Sequence, residues 1–319
     1  MSENGTTARR DAIATGVNIA VDAVAAEVTS AFRQAGIRAL LLKGPPSVRW
    51  LYDSDSGRFS TDVDLLVEPG SRSTAEQVLE RLSFHALPEN IGPDEPRHAQ
   101  AWERDGNPVD VDLHVSVAGA GASVDEVWRV LSRETEQIML AGAPVEVPGA
   151  PARALLVALH AAQHGAAWEQ ALKDLEHALA RLPDEAWRTA AALAGELDAI
   201  PSFAAGLELV EGGEALAERL ELPRQRTVEE TLRAWTAPDL TLGIHRLTTT
   251  RGLRAKGAFV VRKVFPSPAW MRRWVPLARR GRPGLAAAYA ARPLSLALRM
   301  PRALRAWRRA RSESRRSAG

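Results

Sequence analysis

The spacing of apolar and polar residues divides the first third of the chain into alternating helices and strands. Residues 8–35 are rich in alanine and carry apolar side chains at helical intervals, which predicts a long first helix. The apolar run at 37–43 predicts a buried strand that a tight turn at Gly44 ends, and a short helix follows at 47–52. Residues 62–67 predict a second strand, because their apolar side chains are followed by a Pro-Gly break.

A hairpin is the strongest local signal further along the chain. Residues 97–104 and 109–117 flank the turn sequence Asp105-Gly-Asn-Pro108. In the second of these segments apolar and polar residues alternate, so one face of the predicted strand is apolar. The polar face carries Asp110, Asp112 and His114.

The remaining pattern predicts an α+β chain of three domains. Further helices are expected at 73–82 and 124–130, and a second hairpin at 135–140 with 145–147. Helical spacing dominates from 151 to about 235, and beyond 250 we expect short basic helices that six prolines interrupt: Pro266, Pro268, Pro276, Pro283, Pro293 and Pro301. We therefore predict a core at 1–150, a helical domain at 151–250 and a basic helical tail at 251–319.

Charge is divided unevenly along the chain, although the net charge is only +2. The segment 251–319 holds 19 Lys or Arg residues and one acid, Glu313, whereas residues 1–250 have a net charge of −16. A basic tail with interleaved tryptophans suits an anionic partner, either a membrane surface or nucleic acid. Docking of the tail on the acidic remainder of the chain is the alternative interpretation.

Composition excludes several chemistries and localisations. The chain has no cysteine, so thiolate metal sites and cysteine nucleophiles are excluded. The N-terminal residues lack the apolar stretch of a secretory signal, and no run of about 18 apolar residues occurs. We therefore expect a cytoplasmic protein.

The candidate chemistry centres on Asp62 and Asp64. One residue separates them on a predicted strand, so both carboxylates point to the same face and repel each other. A divalent cation would relieve this repulsion, and a cysteine-free set of oxygen ligands favours Mg²⁺ or Mn²⁺. Asp110 or Asp112 would supply a third carboxylate if the hairpin strand lies beside the first. The alternative is an Asp-x-Asp sequence that occurs by chance on an exposed strand.

Basic residues near this strand suit phosphate binding. Lys43 follows an apolar strand, and Gly44 allows close approach of a ligand to the backbone. Arg58 lies in the loop before the acidic strand, where it would bind a phosphate or pair with one of the aspartates. Lys173 is a second candidate for reaching a phosphate, with a surface lysine as the alternative.

Three histidines complete the candidate set. His160 and His164 have the spacing of two ligands on one helix face, but Ala161 stands where a zinc-protease motif needs a glutamate, so packing roles are favoured. His114 is expected to orient an aspartate or to line the site, with a partly buried structural histidine as the alternative.

Taken in order, these segments resemble a known family. Leu40-Leu-Leu-Lys-Gly44, Arg58, Thr61-Asp-Val-Asp-Leu-Leu-Val67 and Val111-Asp-Leu-His114 are similar to the uncharacterised nucleotidyltransferase-like family of the DNA polymerase β superfamily. The segments 159–175 and 265–268 also resemble that family. The resemblance spans roughly residues 35–300.

The resemblance implies a polymerase-β-type nucleotidyltransferase core with a mixed sheet, followed by helices. It places Asp62 and Asp64 on the metal-binding pair and Asp112, in preference to Asp110, on the third carboxylate. Lys43 and Gly44 occupy the turn where the wider superfamily has Gly-Ser facing the triphosphate.

The implied activity is metal-dependent transfer of a nucleoside monophosphate from an NTP such as ATP to a hydroxyl of an acceptor. The alternative is a non-catalytic protein with the same fold that binds a nucleotide or a polyanion. The sequence identifies neither the acceptor, nor the preferred NTP, nor the oligomeric state.

Overall fold

The computed structural model describes residues 3–52, 58–92, 97–224, 226–235, 237 and 239–317. Much of the loop predicted at 53–60 lies outside these residues. The chain forms two compact units, which are described separately. The first unit comprises Met1–Leu87, Arg97–His164 and Trp168–Pro223, and the second comprises Pro88–Pro96, Gly165–Ala167 and Arg224–Gly319. The predicted boundaries at 150 and 250 stay a prediction.

The first unit contains seven strands and nine helices in its described part. The strands are β1 Ala39–Leu41, β2 Asp62–Val67, β3 His85–Ala86, β4 Ala99–Glu103, β5 Asp110–His114, β6 Thr135–Leu140 and β7 Ala143–Pro148. The helices are α1 Glu3–Gln34, α2 Pro45–Leu51, α3 Arg72–Arg81, α4 Val124–Leu131, α5 Ala150–His164, α6 Glu169–Arg181, α7 Asp184–Glu196, α8 Ile200–Leu207 and α9 Gly213–Arg219.

Five of the strands form one mixed sheet in the order β1-β2-β5-β4-β3. Strand β2 pairs parallel with β5, whereas β1–β2, β4–β5 and β3–β4 are antiparallel. The expected mixed-sheet α+β fold is therefore confirmed. Strands β6 and β7 form a separate hairpin, as predicted from the sequence.

The two faces of the sheet pack against different helices because strand side chains alternate. Val63, Leu65 and Val67 of β2 join a core cluster with α1 and α3. Leu66, on the opposite face, joins a cluster formed mainly by α4 to α9. Asp62 and Asp64 share the alternation of Leu66, so the acidic end of β2 lies on the side of the helical cluster.

The second unit is helical and shows that one expectation for the tail is wrong. Its helices are α10 Val228–Ala234, α11 Asp239–Thr249, α12 Leu253–Val264, α13 Pro268–Trp274 and α14 Gly281–Ser317. Pro293 and Pro301 do not interrupt the tail but lie inside α14. An interior proline costs about 3 kcal/mol, and packing of α14 against α10 and α11 offsets this cost.

Among the described residues, every helix is too short or too polar to traverse a lipid bilayer.

The contact between α5 and α8 depends on a glycine. A Cβ atom added to Gly206 would lie 2.1 Å from the backbone oxygen of Ala158, which a packed helix cannot move aside. We expect Gly206→Ala to lower the free energy of unfolding by about 1–3 kcal/mol through overpacking. Gly195→Ala is the matched control, because a Cβ there meets nothing within 4 Å and alanine favours the helix. Urea unfolding of both variants measures the difference; equal stability would contradict this account of the contact.

Candidate functional site

The parallel pairing of β2 with β5 brings the predicted acidic residues together. Asp62 lies opposite Asp110, and Asp64 lies opposite Asp112. Because the register is in phase, acids of the two strands point to the same face of the sheet. The expectation that the hairpin strand lies beside the first acidic strand is confirmed.

Asp64 is the centre of this group. Its side chain is only 1% exposed, and its Oδ1 accepts from Lys43 Nζ and from His114 Nε2, both at 2.9 Å. Its Oδ2 is buried and has no hydrogen-bond partner among the described residues. Burial alone would raise the pKa of Asp64, but the Lys43 ammonium and the His114 hydrogen bond outweigh burial and hold it well below its usual range.

The turn between β1 and α2 positions Lys43. Gly44 has a φ of 82°, and a Cβ there would lie 2.9 Å from Ser60 Oγ, so only glycine lets this turn pass close to the acidic strand. Burial lowers the pKa of Lys43, but the charges of Asp64 and Asp62 raise it by more, so the ammonium stays protonated. Lys43 therefore already neutralises part of the negative charge.

Asp62 and Asp112 are the two carboxyls whose ionisation the site disfavours. Burial, followed by the nearby charge of Asp64, raises the pKa of both carboxyls, that of Asp112 to about 6. Asp62 accepts a hydrogen bond of 3.0 Å from Ser60 Oγ. A cation stabilises two half-buried carboxyls that resist ionisation beside a third, buried one.

His114 has acceptors at both ring nitrogens. Its Nδ1 lies 3.2 Å from the carbonyl oxygen of Ser116, and its Nε2 lies 2.9 Å from Asp64. A neutral imidazole has one N–H, and its donation to the Ser116 carbonyl would leave the Nε2 lone pair available to a cation. The contact of His114 with an aspartate is present, whereas its role in orienting that aspartate stays a prediction.

One group of described residues could hold a metal ion. Asp64, Asp112 and His114 each offer a ligand atom, and these atoms lie within 4.8 Å of one another. The unpartnered Oδ2 of Asp64 and the donor set of two carboxylates and an imidazole fit a divalent cation. Asp62, expected as a ligand, lies two residues before Asp64 on β2 but outside this group.

Arg58 is held by an aspartate that the sequence analysis did not single out. Its Nε and Nη2 donate to Asp174 Oδ1 and Oδ2 at 3.1 and 2.9 Å. Asp174 also accepts from Tyr52 Oη at 2.6 Å and from Gln170 Nε2 at 2.9 Å. Burial and Asp64 raise the pKa of Asp62, and the Arg58 charge acts against this rise. Arg58 therefore acts electrostatically on the acidic group.

The histidine pair on α5 lies outside the candidate metal group. His160 lines a cavity of about 30 Å³ together with Lys43 and His114, which is room for a water molecule or two. Its Nδ1 is buried without a partner among the described residues. Burial and the Lys43 charge lower its pKa, so the ring is neutral. His164 packs edge-on against His160 with ring centroids 4.5 Å apart.

The comparison with protein families matches this architecture. The sequence profile of a family described as uncharacterised nucleotidyltransferases matches residues 8–212, well over half of the chain. The chain belongs to this family. The resemblance stated from the sequence is therefore confirmed.

Two solved structures show limited likeness to this nucleotidyltransferase family member. The solution structure of the antibiotic-resistance factor ANT(2'')-Ia is 16% identical, with a TM-score of 0.41, 58% of this chain covered and 95% of the other. A crystal structure of an antigenic nucleotidyltransferase-like protein from Paracoccidioides brasiliensis is 14% identical, with a TM-score of 0.35 and coverages of 60% and 93%. A comparison with curated proteins found no match.

Helix α6 buries Asp174 and exposes its neighbour Lys173. Lys173, considered for phosphate binding, is 52% exposed and pairs with Glu169 at 2.7 Å, as a surface lysine does. Asp174 is the buried residue, and it lies on the same face as Ala171 and Ala178. An acid within the apolar stripe of a helix was the signal in the sequence that could have identified it.

Lys43 would compete with a bound metal ion for the charge of Asp64. We expect Lys43→Met to bind Mn²⁺ about tenfold or more tightly in the absence of nucleotide, because a competing positive charge is removed. Titration of free Mn²⁺ by electron paramagnetic resonance measures this affinity.

Lys173→Met removes an exposed lysine that pairs with Glu169 rather than with the acids of β2 and β5, and it is the matched control. Equal Mn²⁺ affinities for the wild type and Lys43→Met would show that the lysine does not oppose the ion.

Proposed function

We propose that this chain transfers a nucleoside monophosphate from an NTP to a hydroxyl of an acceptor and releases pyrophosphate. The observation that carries the proposal is the in-register pairing of Asp64 with Asp112 around a buried, unpartnered carboxylate oxygen. Membership of a nucleotidyltransferase family supports the reaction class.

The proposed ligands of the metal are the catalytic carboxylates Asp62, Asp64 and Asp112, with His114 added by the structure. Mg²⁺ or Mn²⁺ bound there would neutralise charge on the triphosphate and acidify the attacking hydroxyl. Asp64 is kept ionised chiefly by the Lys43 charge, so it is available as a ligand at neutral pH.

Asp112 is the proposed proton acceptor. The acceptor oxygen forms a bond to the α-phosphorus while the bond from that phosphorus to the bridging oxygen breaks, and pyrophosphate leaves. The hydroxyl proton passes to a carboxylate oxygen of Asp112, which lies beside Asp64 on the neighbouring strand.

Lys43, Gly44 and Arg58 are the proposed nucleotide-binding residues. The Lys43 ammonium lies against Asp64 and would also contact phosphate oxygens, so that it bridges protein and triphosphate. Gly44 keeps the turn free of a side chain where the phosphates would approach. Arg58 has its paired N–H groups on Asp174, so its proposed contribution to the nucleotide is its charge.

The acceptor is the open part of the proposal, and one experiment addresses it together with the nucleotide. The protein is incubated with each NTP in turn, ATP included, together with Mg²⁺ and a cell extract, and products are analysed by mass spectrometry. A nucleoside monophosphate increment on any species identifies both substrates. Nucleotide binding without any increment or pyrophosphate would favour the non-catalytic alternative.

Asp64→Asn tests the centre of the proposed mechanism. Asparagine keeps the shape of the side chain but removes the charge that binds the cation, so pyrophosphate release should fall at least about a hundredfold. Circular dichroism checks that the fold is retained. Asp105→Asn, an exposed acid in the turn between β4 and β5, is the matched control and should keep wild-type turnover. Transfer by Asp64→Asn at the wild-type rate would exclude the proposed mechanism.

A further inference from the structure

Helix α12 exposes apolar side chains where a surface helix normally carries polar ones. Leu253 is 88% exposed, Val261 is 60% exposed and Val260 is 42% exposed. These three residues share one face, since they are spaced by seven and eight positions along the helix. Phe259 points the other way and is buried. Large apolar faces of this kind mark interaction surfaces.

Two cations of α12, Lys263 and Arg262, are held by contacts within the second unit. Lys263 Nζ donates to the carbonyl oxygen of Asn90 at 2.5 Å, and the carbonyl oxygen of Lys263 accepts from Arg292 Nε at 3.0 Å. The guanidinium of Arg262 packs against Gly92 so closely that any Cβ there would collide with it. These contacts fix the rotation of the helix, so its apolar face points outward because these two cations are anchored within the second unit.

Helix α14 presents a second apolar site with cations beside it. Leu294 and Leu298 are one helical turn apart and are 64% and 73% exposed. With Leu240 they line a groove of about 860 Å³, which Arg299 and Arg302 flank.

The net charge of residues 251–319 limits which kinds of partner could bind the apolar face of α12. Residues 251–319 carry a net charge of +18, so two copies of this surface would repel each other. Nucleic acid binds exposed aromatic rings by stacking, and the exposed rings of the segment, Phe265 and Trp274, lie beyond the end of α12, whose own large exposed side chains are aliphatic. Exposed aliphatic side chains on a helix that also exposes Arg254, within a segment of this net positive charge, are the combination that binds the interface of a bilayer containing anionic lipids.

We propose that the second unit docks on the surface of an anionic bilayer through the exposed face of α12. Leu253, Val260 and Val261 enter the boundary between headgroups and acyl chains, and arginines of the segment bind lipid phosphates. The contact is peripheral and reversible, and it is independent of whether the first unit transfers nucleotides.

Co-sedimentation of the full chain with vesicles tests the proposal. We expect binding to vesicles of phosphatidylcholine with 30% phosphatidylserine, about tenfold or more weaker binding to pure phosphatidylcholine, and loss of binding as salt is raised. The triple variant Leu253→Gln, Val260→Gln and Val261→Gln keeps all charges and should bind the anionic vesicles at least about tenfold more weakly. Glutamine is used because it favours helix, and circular dichroism checks the fold.

The matched control replaces exposed apolar residues of the first unit by glutamine. Ile19 and Met139 are 64% and 61% exposed, so Ile19→Gln with Met139→Gln removes exposed apolar area without touching α12. This control should bind vesicles like the wild type.

Three results would overturn the proposal: no binding to anionic vesicles at low salt, vesicle binding that the triple variant retains, or equal binding to neutral vesicles. A labelled single-stranded RNA of 20 nucleotides is titrated in parallel by fluorescence anisotropy. RNA binding without vesicle binding would assign the surface to nucleic acid instead.

Discussion

The parallel pairing of β2 with β5 is the constraint on which the site depends. It places Asp64 beside Asp112 with no freedom to separate, because a register shift of one residue would turn every buried apolar side chain of β2 to the wrong face. Because the hydrophobic core fixes this register, it holds the carboxylates close together although they repel each other. Any cation that binds beside these carboxylates reduces their repulsion and stabilises the fold. In this chain the Lys43 ammonium already does so.

Lys43 distinguishes this chain from an acidic centre that relies on metal alone. Its ammonium and His114 share one oxygen of Asp64, which leaves the other oxygen for an additional charge. Since the lysine comes from the turn before α2, the same turn that is expected to face the triphosphate also controls the charge of the acidic strand. The proposed nucleotide and metal sites would therefore be coupled through one side chain.

The sequence predicts local elements well and long-range contacts poorly. Strand β2 matches the predicted 62–67 because apolar alternation and a Pro-Gly break define both ends. The pairing of β2 with β5 required the family resemblance, since period-two patterns do not specify neighbours. Asp174 was missed as the partner of Arg58 because 116 positions separate them, and Pro301 was misread because packing offsets its cost within α14.

The second unit is discontinuous in sequence, and this has a consequence for handling the protein. Two short excursions, Pro88–Pro96 and Gly165–Ala167, belong to it although they interrupt the first unit. Gly165 lies so close to the Arg233 carbonyl that no larger residue fits. No single cut of the polypeptide yields either unit whole. A truncation at residue 223 would keep both of these short segments in the N-terminal fragment, without the helices they pack on.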